Sequence, residues 1–163
     1  MANISTQLAA VALAVSFCSL AISFYFWRRS FRPIVTVAAK TNEATGDYIT
    51  YDLVFLNSGT IPAKDIQITV LDSALASAYG EEANEGNKQR WLACFARAIP
   101  LLQNGFSVKC SFGFTKLNDT GFWKHGAIIP VTIAYKDWFG WGYTEKQSIQ
   151  IFNSESFTGY SWD

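Results

Sequence analysis

The sequence predicts an all-β domain, an immunoglobulin-like antiparallel β-sandwich of about seven strands, preceded by a single N-terminal transmembrane α-helix. Three observations carry this reading. Residues 1–27 contain no Asp, Glu, Lys, Arg or His. After Pro33 the apolar residues stop running continuously and begin to alternate, which is the period of a strand with one buried face. Clusters rich in Gly, Asn and Asp then cut the remainder into short segments. The predicted organisation is an anchor with its flanks over 1–30, the sandwich over 31–153 and an aromatic tail over 154–163.

The anchor comes first. Residues 8–27 are almost all Ala, Val, Leu, Ile, Phe, Ser or Cys, and about 20 such residues suffice for a helix to cross the hydrocarbon. A cleaved signal peptide would need a basic leading region and a small-residue cleavage site. The run ends instead in Phe24, Tyr25, Phe26 and Trp27, aromatic rings suited to the membrane interface. Arg28, Arg29 and Arg32 follow at once, while the leading flank offers only its α-amino group. The positive-inside rule therefore places the C-terminal domain in the cytoplasm and the N-terminus outside.

Within the anchor, Ala9, Ala12, Ser16, Ser19 and Ser23 recur at steps of three and four, with Ser5 and Ser30 on the same stripe. Small side chains let helix backbones approach closely in lipid, so the stripe is a candidate packing seam. The same register also arises by chance, because Ala and Ser are common in membrane helices.

Alternation places strands at 34–39, 50–56, 66–71, 106–114, 127–135 and 143–152. Turn residues separate them at 43–47, 57–59, 103–105 and 139–142. The interval 73–100 admits a short helix over 73–79 and a polar loop, and 91–98 reads as a strand, with a helix the alternative. Trp91, Phe95, Trp123 and the phenylalanines of 106–114 are expected in the core, since aromatics dominate burial in small β domains.

The run Tyr51-Asp52-Leu53-Val54-Phe55-Leu56-Asn57-Ser58-Gly59, followed by Pro62-Ala63-Lys64-Asp65-Ile66-Gln67-Ile68, resembles the strand, Asn-x-Gly turn and following strand of bacterial CARDB-type immunoglobulin-like domains. Val131-Thr132-Ile133-Ala134-Tyr135-Lys136-Asp137, with its aromatic glycine turn, is similar to the closing hairpin of membrane-tethered relatives. The resemblance implies a non-enzymatic scaffold or adhesion-like module of a prokaryote, and hence the cell inner membrane as its location. Many such domains are exported, against the orientation that the arginines predict.

If the first strand leaves the membrane and the strands alternate in direction, loops after even-numbered strands point toward the bilayer. These are 57–63, 100–105 and 137–142, carrying Ile61, Leu101, Leu102, Trp138, Phe139 and Trp141. Such side chains suit the headgroup layer or a neighbouring membrane protein. The opposite loops are polar, and Glu81, Glu82 and Glu85 read as a solvated face. Phe157, Tyr160 and Trp162 make the tail a candidate docking peptide or a segment folded back on the sandwich.

The remaining chemistry is sparse. With 13 basic and 13 acidic residues the net charge is zero, so no global field favours nucleic acid. His125 is the one histidine and reads as a loop residue, which excludes a two-histidine metal site or a histidine triad within one chain. Of three cysteines, Cys18 lies in the anchor, so at most Cys94 and Cys110 pair within the domain. In a reducing compartment they would be buried thiols. The sequons at Asn3 and Asn118 read as chance matches in a protein of this orientation. No phosphate-binding glycine motif or Cys-x-x-Cys pair is present.

The expectation is a non-enzymatic module without cofactor or metal, which binds, tethers or assembles with membrane proteins or with itself. The alternative is an oligomeric effector whose serine-lined helices form a pore when the domain senses a ligand or partner.

Overall fold

The computed structural model describes residues 2–152. The chain divides into two compact units, one ending at Arg32 and one beginning at Pro33. The first is helix α1 (Ala2–Ser30). Its 28-residue segment Asn3–Ser30 is long and apolar enough to cross a membrane. At 1.5 Å per residue it spans about 42 Å, against a hydrocarbon thickness of about 30 Å. Ser16 Oγ donates to the Ala12 carbonyl at 2.8 Å, the back-bond by which a serine within a helix satisfies its hydroxyl. Near the end of α1, Arg29 Nη1 donates to the Tyr25 hydroxyl at 3.2 Å, and the rings of Phe24 and Trp27 stack at 6.0 Å.

The second unit contains β1 (Val35–Ala44), β2 (Tyr48–Asn57), β3 (Ala63–Val70), β4 (Ile99–Leu102), β5 (Ser107–Lys116), β6 (Ile128–Lys136) and β7 (Gly142–Gln150). All pairings are antiparallel and form two sheets, ordered β1-β2-β5 and β4-β3-β6-β7. The six strands predicted outside 73–100 are all present, with several ends shifted. Between β3 and β4 the chain makes α2 (Asp72–Ala78), α3 (Glu85–Trp91) and α4 (Ala93–Ala96). The short helix expected near 73–79 is therefore found.

The strand expected at 91–98 is not. Asn84 caps α3, its side chain accepting from Asn87 N at 2.9 Å, and Lys88 pairs with Glu85 at 2.8 Å. Trp91 and Phe95, one helical turn apart, then reach Phe114 and Phe112 edge-on at 6.4 and 5.7 Å. The seventh strand comes instead from residues 99–102. The seven antiparallel strands in two sheets behind an apolar N-terminal helix agree with the all-β, sandwich-like expectation, and most of the helical residues belong to α1, with a short helical insert added between β3 and β4.

The core follows the alternation. Val35, Val37 and Ala39 of β1 turn inward, as do Tyr51, Leu53 and Phe55 of β2 and Ile129, Val131, Ile133 and Tyr135 of β6. Trp123 and Phe112 are buried as expected, and Trp91, Phe95 and Phe114 are half-buried against the core. Gly113 has φ +90°, and a Cβ there would sit 2.8 Å from Phe122 Cδ1 and 2.9 Å from Trp123 Nε1. Only glycine lets β5 run this close to the two rings.

Candidate functional site

Register decides which loops share an end. Val35 faces Asn57, Leu56 faces Ser107, Ala63 faces Leu102, and Lys136 faces both Lys64 and Gly142. The turns after β2, β4 and β6 therefore gather at the end of the sandwich where β1 begins.

Two buried polar side chains hold this end together. Asn57 is fully buried. Its Oδ1 accepts from Ile34 N at 3.2 Å and Gly59 N at 3.0 Å, and its Nδ2 donates to the carbonyls of Ile61 at 2.9 Å and Leu102 at 3.1 Å. One amide thus joins the approach to β1, the turn after β2 and the end of β4. Asp137, also fully buried, does the same for the last turn. Its Oδ1 accepts from the backbone N–H groups of Phe139 and Trp141, each at 2.9 Å, and its Oδ2 accepts from the Tyr143 hydroxyl at 3.1 Å.

Held this way, the end presents apolar side chains to the outside. Leu101 is 44% exposed, Phe106 63%, Trp138 54% and Phe139 57%. Lys64 Nζ lies 4.0 Å from the centroid of the Trp138 ring and donates to the Trp138 carbonyl at 3.4 Å. Leu101 pairs with the same lysine across β3 and β4, so Leu101, Lys64 and Trp138 form one patch. Phe139 and Trp141 face each other at 5.9 Å.

The prediction for this end needs three corrections. Leu102 is 2% exposed and belongs to the core. It lies opposite fully buried Ala63, and alternation turns its neighbour Leu101 outward. Ile61 and Trp141 are half-buried rather than projecting. Phe106, expected in the core, is exposed because the turn at Gly105 (φ +76°) delays β5 until Ser107. The signal for Phe106 was its position directly after Gln103-Asn104-Gly105.

The other predicted positions lie apart from this patch. Ala9, Ala12, Ser16, Ser19 and Ser23 are exposed along α1, where Arg28 and Arg29 occupy the last turn and Arg32 follows. Phe157, Tyr160 and Trp162 lie outside the described residues. Among the acidic residues, Glu82 pairs with Lys116 at 2.6 Å and Glu85 with Lys88, while Glu81 is exposed. His125 sits in a loop, its backbone N–H donating to Asp119 Oδ1 at 2.9 Å, and burial pushes its imidazole pKa down. Among the described residues no three His, Cys, Asp or Glu side chains are grouped to hold a metal ion.

Asp137→Ala removes three acceptor contacts under the aromatic turn. It is expected to lower stability by about 2–3 kcal/mol and to open 138–141 to chymotrypsin. Urea unfolding of the full chain in detergent and timed proteolysis check this, and an unchanged midpoint would contradict it.

The fold and its exposed end define an antiparallel two-sheet β domain carried behind a helix long and apolar enough to cross a membrane. The chain belongs to the family described as Domain of unknown function (DUF8453), which matches it over residues 1–155. No curated protein matches it in sequence.

Proposed function

We propose that this chain is a non-enzymatic, single-pass membrane module that binds or assembles with other membrane proteins through the end of its sandwich where β1 begins. The observation that carries the reading is the set of outward side chains Leu101, Phe106, Trp138 and Phe139 at that end. Exposed apolar patches rimmed by polar groups suit protein or headgroup contacts. Arg28, Arg29 and Arg32 orient the domain to the cytoplasmic face of the inner membrane.

The immunoglobulin-like reading belongs here too. The order β1-β2-β5 against β3-β6-β7 corresponds to strands A-B-E and C-F-G of that fold, with the fourth strand carried on the second sheet. The seam of α1 serves self-association in this reading. The Ser16 hydroxyl already has its acceptor at Ala12, so the seam can pack dry, which favours a contact over a water-lined pore.

A photo-crosslinking residue at position 138, in native membranes, is expected to capture a membrane-embedded protein. The same residue at position 81, at the polar end, is expected to capture none. Equal capture at the two positions, or none at position 138, would reject the proposed surface.

A further inference from the structure

The two sides of the sandwich close differently. Along one, Gln147 of β7 straddles the β1 backbone, accepting from Val37 N at 3.0 Å and donating to the Val35 carbonyl at 2.8 Å. Along the other, β4 has only four residues, one of them Pro100, and pairs only with β3. A groove of about 390 Å³ remains there between β5 and the segment running from α4 into β4. Phe55, Cys94, Arg97, Ile99, Val108 and Cys110 line it.

The groove carries two free thiols on different elements, Cys94 on α4 and Cys110 on β5. Both are partly exposed, so small reagents reach them. Their remaining sulfur contacts are long and weak: Cys94 Sγ to the Trp91 carbonyl at 3.7 Å, and Cys110 Sγ to the Leu53 carbonyl at 3.9 Å. The two thiols perturb each other across the groove: the neighbouring thiol, with burial, pushes Cys94 up, while Cys94 draws Cys110 down, which favours Cys110 as the attacking thiolate. Cys94 stands on a helix of four residues, a short element able to shift toward β5 at small cost.

We propose that Cys94 and Cys110 are a reversible disulfide site, closed by a low-molecular-weight disulfide, which ties the helical insert to β5 and seals this side of the sandwich. Cys110 loses its proton to solvent, and its thiolate attacks one sulfur of the external disulfide, expelling one thiolate. Cys94 then gives up its proton and attacks the Cys110 sulfur of the mixed disulfide, releasing the second external thiol. Two protein thiols are oxidised by two electrons, and one external disulfide is reduced to two thiols. The inference does not rest on the proposed membrane role.

The test treats the full chain in mild detergent with oxidised glutathione, followed by alkylation and non-reducing peptide mass spectrometry. The expected product is one Cys94–Cys110 linked peptide pair, with Cys18 still alkylated. C94S is expected to stop at glutathione attached to Cys110, whereas C110S leaves Cys94 largely unreacted. Linkage is expected to slow tryptic cleavage after Arg90 and Arg97 about tenfold, because cleavage there needs the insert to open. Dithiothreitol restores the original rate. Full alkylation of both thiols after oxidation would overturn the proposal. So would a wild-type chain that accumulates only mixed disulfides, or linkage that forms only in denaturant.

Discussion

Replacing Trp123 with alanine is expected to cost the β domain about 4 kcal/mol, within the range for truncating a fully buried large aromatic. Its ring is wholly enclosed, with centroids 4.6 Å from Phe122, 4.9 Å from Phe112 and 5.6 Å from Tyr79. Its Nε1 donates to the Phe112 carbonyl, and its backbone bridges to Tyr79 at the end of α2. The side chain therefore joins the helical insert to β5. Its loss leaves a cavity that the surrounding sheets cannot collapse into, because Gly113 already brings the β5 backbone against the rings. Against a typical total of about 5–15 kcal/mol the variant should be largely unfolded at modest urea. Trp123→Phe keeps the ring contacts and loses the hydrogen bond, with an expected cost of about 1–2 kcal/mol. Urea titrations of full-length protein, followed by circular dichroism, decide the matter. A loss for the alanine variant below about 1 kcal/mol would mean that the cluster is not the keystone described.

Asn57→Ala comes next, with an expected loss of about 3 kcal/mol. The cost comes from what is left behind. The buried carbonyl of Leu102 and the partly buried Ile34 N, Gly59 N and Ile61 carbonyl all lose their partner. The loss should be local as well as global, so amide exchange should rise first in 58–63 and 102–106 while β6 and β7 stay protected. Uniform exchange across both sheets would contradict the role assigned to this side chain. Asn57→Asp sharpens the test through pH. A carboxylate can accept from both N–H groups but would face two carbonyl oxygens, so its folded-state pKa is raised above the unfolded value. Stability of that variant then falls as pH rises from about 4, where the neutral form can still donate to one carbonyl.

Much of this molecule is legible one residue at a time. The uncharged stretch through Trp27 is long and apolar enough to cross a membrane, and α1 covers it. Alternation located six strands, because a strand with one wet face repeats every two residues whatever it pairs with. Their parity also put the turns after β2, β4 and β6 at one end, and the loss of the strand at 91–98 did not disturb it, since 99–102 took its place. Within the insert, the helix near 73–79 was legible, whereas 91–98 favoured a strand over its helical alternative because Trp91 and Phe95 fit either period. Their partners, Phe114 and Phe112, lie far along the chain.

By itself the sequence determined the long apolar N-terminal helix, the antiparallel strands and the turns between them. These follow from properties of neighbouring residues: hydropathy over a run, side-chain period and turn chemistry. The tertiary structure alone decided that Leu101 faces out while Leu102 faces in, that Asn57 and Asp137 hold the exposed end, and that Cys94 and Cys110 share a groove. Each of those depends on which distant strand lies opposite, a choice made by packing two sheets around one core and left unmarked by any local pattern.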